Sequence, residues 1–219
     1  MAQKSVTRES IQKGFQDYLL NEAKIPQTVR ILTNYLKITE ASFFEHYGSL
    51  AKVEASIWED YYGKTLTVLQ KDADFVEMNE REKHLSFLFT LLEVIKEDRS
   101  YIQYRLLHKA SSMLPLFILK TARVIDDADI EWASPPRFIP EKGHDLVKSG
   151  YRKVLWKHSL ATIHFWIKDD SPGAEDTDAF IEKSTRTLFD LGQLPALDSV
   201  IDLGKFFLQK IGFSKAATS

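Results

Sequence analysis

The stretch TVRILTNYLKITEASFFEHY, residues 28–47, decides the fold of this chain. It has the pattern of two short helices joined by a tight turn. Thr28 and Thr39 each precede a helical period, where a threonine hydroxyl can accept a hydrogen bond from an otherwise unpaired backbone N–H. The second helix ends in the run Phe-Glu-His-Tyr. The pattern predicts a helix-turn-helix and therefore points toward DNA.

The spacing within the second helix separates its two faces. Phe43 and Tyr47 are four residues apart, so they share one side of a helix. Other side chains point elsewhere, namely those of Glu40, Ala41, Ser42, Phe44 and His46. In a helix-turn-helix, this second face enters the major groove.

The flanking residues complete a small module. An apolar stripe of one supporting helix precedes the motif, formed by Ile11, Phe15, Tyr18 and Leu19. After the motif, Gly48 and Ser49 interrupt the pattern and a new helical period begins at Val53. We therefore predict an all-α protein with a helix-turn-helix domain at residues 1–54 and a helical domain at residues 55–219.

The motif resembles the N-terminal domain of the TetR family of bacterial transcriptional regulators. The family pattern runs roughly Thr-Thr-Val-x-x-Ile-Ala, then Gly-Val-Ser-x-Gly-Thr-Leu-Tyr-x-His-Phe, then x-Ser-Lys. The matching segments of this chain are Gln27–Thr33, Lys37–Tyr47 and Gly48–Leu50. Order, spacing and most residue classes agree over about a quarter of the chain.

The resemblance implies a set of DNA contacts. In the family's arrangement, Thr28 and Arg30 contact phosphate or a base edge from the second helix. The resemblance places Thr39, Glu40, Ala41 and Ser42 at the base edges and Phe44 and His46 near the DNA backbone. Tyr47 would belong to the core. The family's logic further implies a homodimer whose helical body senses a small molecule.

Several positions depart from the family pattern. The glycine of the turn, which favours a left-handed backbone, is replaced by Lys37, and the lysine that opens the exit helix is replaced by Leu50. Glu40 and Glu45 would repel phosphate unless a carboxylate meets a cytosine amino group. Residues 1–54 hold seven basic and six acidic side chains, so a strongly basic DNA-binding surface is absent. We therefore expect weak DNA binding, or binding only as a well-spaced dimer.

Composition excludes several classes of protein. A formal charge of −2 rules out a generally polycationic chain, and 44% hydrophobic residues favour a folded one. With no cysteine, the chain has no disulfide, thiolate nucleophile or cysteine-bound zinc. No apolar run is long enough to span a bilayer, and the first residues lack a signal-peptide core. We expect a cytoplasmic protein that does not enter a membrane.

The C-terminal half predicts a helical hairpin. Two amphipathic segments, at about residues 146–169 and 177–192, flank the sequence Ser171-Pro172-Gly173. In the TetR family such a pair packs against its twin to form a four-helix dimer interface. The resemblance therefore predicts a dimer interface that includes Val154, His158, Phe165, Ile181 and Leu188.

The middle of the chain, residues 101–166, is rich in apolar and aromatic side chains. They favour a cavity for a small hydrophobic or amphipathic effector, although aromatic residues at helical spacing often simply fill a core. The predicted ligand contacts are Tyr104, His108, Met113 and Trp156.

Catalytic and metal-binding motifs are missing from the sequence. His158 and His164 are six residues apart, on nearly opposite sides of a helix, which argues against a shared metal. No phosphate-binding loop, nucleophile elbow or zinc-protease motif occurs, so we expect no cofactor, no metal and no enzymatic activity. The main alternative is a TetR-fold dimer that has lost DNA binding and acts as a ligand- or lipid-binding protein. An enzyme built on the same scaffold is a more distant one.

Overall fold

A computed structural model describes residues 6–107, 116–128, 130, 132, 141 and 144–192. All regular secondary structure in this part is α-helix or 3₁₀-helix, and it contains no strand. This confirms the predicted all-α class. The α-helices are α1 Arg8–Glu22, α2 Val29–Leu36, α3 Glu40–Phe44, α4 Leu50–Gln70, α5 Glu80–Ile95, α6 Arg99–Leu107, α7 Leu116–Asp126, α8 His144–Trp166 and α9 Glu175–Gly192.

Helices α1 to α3 and the start of α4 form a head with its own core. The predicted stripe of α1 is buried, with Ile11, Phe15 and Leu19 at most 1% exposed. At Gly14, α1 and α2 approach closely, because an added Cβ would lie 2.0 Å from Leu36 Cδ2. The glycine therefore permits the helix contact that fixes the motif against α1.

The turn of the motif is built from local signals. The Thr28 hydroxyl caps α2 by accepting from the Ile31 N–H, and the Thr39 hydroxyl caps α3 by accepting from the Ser42 N–H. Between them, Lys37 adopts a left-handed backbone with φ 57° and ψ 42°. The Ile38 N–H then donates to the Thr33 carbonyl at 3.0 Å, which closes the end of α2. The turn keeps the left-handed geometry although glycine is absent.

Replacing Lys37 by glycine is expected to stabilise the protein by about 0.5–1 kcal/mol, because glycine adopts positive φ without Cβ strain. Lys37→Ala is the matched control, since it removes the charge but keeps the Cβ. Urea unfolding of the three proteins measures both changes. A Lys37→Gly variant no more stable than Lys37→Ala would show that the left-handed backbone carries no strain.

Helix α4 connects the head to the helical body. It continues without a break across the predicted boundary at residue 54, from its Ser49 cap to Gln70. Its buried side chains include Trp58, Tyr62 and Leu66, and it packs against α1, α5 and α7. One continuous helix thus belongs to both cores.

The body is assembled around α5, which begins with a capping box. Asn79 and Glu82 exchange hydrogen bonds between side chain and backbone, and Phe87, Leu88 and Leu91 are buried along the helix. The body helices α7, α8 and α9 pack with α4 and α5 around this core.

Helices α8 and α9 form the predicted hairpin, and one aspartate organises its turn. The Asp169 carboxylate accepts from the backbone N–H and hydroxyl of both Ser171 and Thr177. These hydrogen bonds lower the pKa of Asp169. The Arg99 guanidinium donates to the carbonyls of Trp166 and Asp169, which ties the turn to the start of α6.

Candidate functional site

Helix α3 presents one side to the core and the other to solvent. Phe43 and Tyr47 are 0% and 3% exposed, which confirms the predicted inner face. Glu40 and Ala41 are exposed, and the Phe44 ring is 53% exposed. An exposed surface of one acidic, one small and one aromatic side chain therefore lies opposite the core of the head.

The small polar residues of the motif are partly engaged by the backbone. The Thr39 hydroxyl accepts from the Ser42 N–H at 3.1 Å and lies 2.9 Å from the Ser42 hydroxyl. Thr28 is exposed and accepts from the Ile31 N–H at 3.3 Å. These hydroxyls hold the helix ends in place, and each keeps further hydrogen-bonding capacity.

His46 is directed into the head rather than away from it. Its Nε2 lies 3.1 Å from the Val6 carbonyl oxygen, so this nitrogen is the donor. Nearby, the Arg8 guanidinium donates to the His46 carbonyl and lies 4.6 Å from the centre of the Tyr47 ring. The residues before α1 are thus fastened to the end of α3. His46 reaches the predicted DNA backbone through Nε2 only if this bond breaks.

Arg30 and Lys37 are the two basic residues of the helix-turn-helix motif, and both are exposed. Lys13 and Lys24 form surface ion pairs with Asp17 and Glu22, and Arg8 contacts Tyr47. The Arg30 side chain is exposed and makes no hydrogen bond or ion pair with the residues that the structure describes. It is therefore available to an external anion.

Three polar contacts connect α1 and α4 of the head to α6 of the body and the residues before it. Gln16 donates to the Tyr61 hydroxyl at 2.9 Å, and Tyr61 in turn donates to Asp98 at 2.8 Å. Burial, followed by the Asp98 carboxylate, raises the pKa of Tyr61, so its hydroxyl keeps its proton.

The other two contacts come from α6 itself. The Tyr104 hydroxyl donates to the Ala23 carbonyl at the end of α1. The Arg105 guanidinium donates to the Glu54 carboxylate, with side chains only 4% and 10% exposed. Helix α6 is thus bonded both to the end of α1 and to α4.

The body matches a known protein-family model. Residues 83–207, more than half of the chain, match the family described as Tetracyclin repressor-like, C-terminal domain. The chain belongs to the TetR family. No curated protein matches it. The match lies entirely outside the head, so it supports the resemblance of the helix-turn-helix independently.

The TetR family is a family of transcriptional regulators. Two of the four predicted ligand contacts in the body, Tyr104 and Trp156, are described by the structure. The Tyr104 hydroxyl donates to the Ala23 carbonyl at the end of α1, and Trp156 Nε1 donates to the Thr121 hydroxyl at 2.8 Å. Both polar groups already have partners. His108 and Met113 lie outside the described residues.

The predicted dimer residues of this TetR-family hairpin divide into two groups. Phe165 is 37% exposed and stacks on Phe180, with ring centres 4.5 Å apart and an interplanar angle of 6°. Val154 and Leu188 are partly buried. Ile181 is 0% exposed and packs in the core of the protomer, so it is not available to a second copy in this arrangement.

His158 also serves the interior of the protomer. Its Nδ1 lies 2.8 Å from His84 Nε2, and its Nε2 lies 2.8 Å from the Ser184 hydroxyl. Sequence reasoning considered only the pair His158 and His164, and it missed His84 because the two partners are 74 residues apart. Among the described residues, no group of three or more His, Cys, Asp or Glu side chains could hold a metal ion.

We expect the buried pair of His84 and His158 to lower the free energy of unfolding in mild acid. Burial lowers the pKa of His158 from 6.5 to about 4, and burial followed by the charge of His158 lowers the pKa of His84. Below about pH 6.5 the unfolded chain therefore takes up protons before the folded one, and stability falls toward pH 4. Above that pH both states are neutral at these sites and the full stability is present.

Urea unfolding between about pH 7 and pH 5 measures this effect, since ordinary carboxylates remain mostly charged there. His158→Gln should reduce the slope, because glutamine keeps a hydrogen-bonding side chain without titrating. Equal slopes for the wild type and His158→Gln would contradict the prediction.

No helix of the described part is sufficiently long and apolar to cross a bilayer.

Proposed function

We propose that this chain is a TetR-family transcriptional regulator that binds operator DNA as a homodimer and responds to a small, largely apolar ligand. The orientation of α3 carries the proposal: Phe43 and Tyr47 hold it against the head, while Glu40, Ala41 and Phe44 face solvent. A helix anchored in this way can present its outer face to the major groove.

The proposed DNA contacts follow from what each exposed side chain can do. Arg30 supplies the cation, either to phosphate or in two hydrogen bonds to a guanine edge. Glu40 can accept from a cytosine amino group, and Ala41 and Phe44 can contact thymine methyl groups. Because the Phe44 side chain has no hydroxyl, it cannot donate a hydrogen bond to a phosphate and can contribute only apolar contacts. We expect specificity to depend on base contacts more than on charge, because the head is nearly neutral.

In this proposal, residues 1–54 bind DNA, and residues 55–219 bind the ligand and form the dimer. Helix α4 is shared between the two parts. The contacts of α6 with Ala23 and Glu54 support a coupling between the two parts. A ligand that favours one position of α6 would shift α1 and α4 and change the separation of the two heads. Half-sites about 34–36 Å apart would then no longer be matched.

Selection from a random DNA library at low salt tests the proposal directly. We expect enrichment of a palindromic site, and Arg30→Ala should cost about 1–3 kcal/mol of binding and relax one position per half-site if Arg30 reads a base. If Arg30 contacts only phosphate, affinity should fall equally for all sequences. The slope of log affinity against log salt concentration should then become shallower by about one. Lys13→Ala, at a residue paired with Asp17, is the control for loss of one positive charge.

A second candidate function is a TetR-fold dimer that binds a ligand or lipid but not DNA. The observation that favours it is electrostatic: seven basic residues stand against six acidic ones in residues 1–54, and Arg8 is engaged inside the head. Failure to enrich any sequence at low salt would make this candidate the better account.

A further inference from the structure

A directional chain of hydrogen bonds crosses from α9 through α8 to α5. The Ser184 hydroxyl donates its single hydrogen to the Phe180 carbonyl at 2.5 Å. It must therefore accept from His158 Nε2, which carries the hydrogen of that neutral ring. His158 Nδ1 is then an acceptor, so His84 donates through Nε2. The remaining nitrogen of a neutral His84, Nδ1, is left as a bare acceptor.

Among the residues that the structure describes, this acceptor has no partner. His84 is 0% exposed, and its Nδ1 makes no hydrogen bond within the described part of the chain. A second buried polar atom also lacks a hydrogen-bond partner. Trp132 is 3% exposed, and its Nε1–H donor is unpaired among the described residues. Each such group destabilises the folded state if it stays unsatisfied, because it has lost its hydrogen bond to water. Native proteins usually give such groups partners.

The two unpaired atoms belong to rings that contact the same phenylalanine. The His84 ring is stacked on Phe87 with centres 6.3 Å apart, and the Trp132 ring meets Phe87 edge to face at 5.5 Å. Phe75 packs against Trp132 and Phe189 against His84. One acceptor and one donor thus lie in a single aromatic cluster of the body.

The described ligand contacts predicted from the sequence differ from these two atoms in already having hydrogen-bond partners. Tyr104 and Trp156 have polar atoms that already bond to Ala23 and Thr121. Those hydrogen bonds would have to break before a ligand could use them. His84 Nδ1 and Trp132 Nε1 would instead gain a hydrogen bond, so ligand binding there carries no such loss.

We propose that the cluster of His84, Phe87 and Trp132 anchors the effector, and that the effector is an uncharged aromatic or apolar molecule with a hydrogen-bond donor beside an acceptor, as in a carboxamide. The donor meets His84 Nδ1, and the acceptor receives the Trp132 indole hydrogen. An ionised group is disfavoured, because burying a charge among aromatic rings without a counter-ion is costly. The inference rests on the proposed ligand response of the body and is independent of DNA binding.

Titration of the full-length protein with benzamide and acetophenone tests this inference. The two probes have the same shape, but acetophenone carries a methyl group in place of the amide nitrogen and therefore lacks the donor. Benzamide should cause a saturable shift of the Trp132 indole N–H resonance, assigned by its absence in Trp132→Phe. Acetophenone should bind about three- to tenfold more weakly, as expected for loss of one neutral hydrogen bond.

A variant separates the proposed anchor from general apolar binding. His84→Phe should remove the preference for benzamide over acetophenone, whereas His164→Phe on α8 should retain it. If His84→Phe does not fold, the His84 Nδ1 nitrogen resonance of the wild type supplies the same information, and it should move with benzamide but not with acetophenone. No saturable Trp132 shift at millimolar benzamide, or an unmoved Nδ1 resonance, would overturn the proposal. DNA selection plays no part in this titration, so the two proposals fail separately.

Discussion

Replacing Arg105 by methionine will destabilise the folded protein by about 3–5 kcal/mol, because it leaves the carboxylate of Glu54 buried without its counter-ion. The two side chains are only 4% and 10% exposed, and they join α6 to α4. Burial already raises the pKa of Glu54, and the Arg105 guanidinium opposes that rise. Removing Arg105 removes this opposition, so Glu54 in the variant will bind a proton more readily. Urea unfolding at neutral pH measures the loss.

The pH dependence of this variant has a definite sign. A carboxyl whose pKa is raised in the folded state contributes its stability at low pH and loses it as the pH rises through the folded pKa. The deficit of Arg105→Met relative to the wild type should therefore shrink as the pH falls from about 7 to 5. A deficit that grows in acid would contradict the assignment of Glu54 as the unpaired group.

Two controls separate burial from the ion pair itself. The double variant Glu54→Leu with Arg105→Met should recover most of the stability, because replacing both buried charges by apolar groups is often nearly neutral. Arg152→Met breaks a pair with Asp126 whose side chains are 30% and 41% exposed, and it should cost no more than about 1 kcal/mol. Equal losses for Arg105→Met and Arg152→Met would show that burial of the pair is unimportant.

Phe165→Glu is expected to convert a homodimer into monomers. Phe165 and Phe180 form a stacked aromatic pair across α8 and α9, and Phe165 keeps 37% of its surface exposed in the protomer. If a second copy covers this pair, a glutamate there becomes a buried, unpaired charge, which costs several kcal/mol. The protomer itself should tolerate the change, because the side chain can reach solvent when it is alone.

Sedimentation velocity at micromolar protein measures the effect. The wild type should sediment as a dimer and Phe165→Glu as a folded monomer, with an unchanged helical circular dichroism spectrum. Lys153→Ala is the matched control, since it changes the formal charge by the same amount at an exposed position of α8. A monomeric wild type, or a dimeric Phe165→Glu variant, would remove the hairpin from the proposed assembly.

Local sequence signals predicted the head well. The caps at Thr28 and Thr39, the buried faces of α1 and α3 and the exposed position of Phe44 all depend on residues within one or two helical turns. The same holds for the α8–α9 hairpin, whose turn at Ser171-Pro172-Gly173 was readable from composition. The directions of individual side chains were harder to predict. His46 is expected near the DNA backbone and Ile181 in the dimer interface, yet in the protomer His46 Nε2 lies against the Val6 carbonyl and Ile181 is buried.

The sequence by itself determined the all-helical class and the helix-turn-helix, because caps, periodicity and turns are set by neighbours along the chain. Only the tertiary structure decided which distant residues meet: Glu54 with Arg105 across 51 residues, His84 with His158 across 74, and the Ala23 carbonyl with Tyr104 across 81. These pairings depend on how each helix is rotated about its axis and where it crosses its neighbour. Periodicity identifies the apolar face of a helix but not its partner, so the contacts that couple head to body and organise the His84 cluster emerge only when the helices pack.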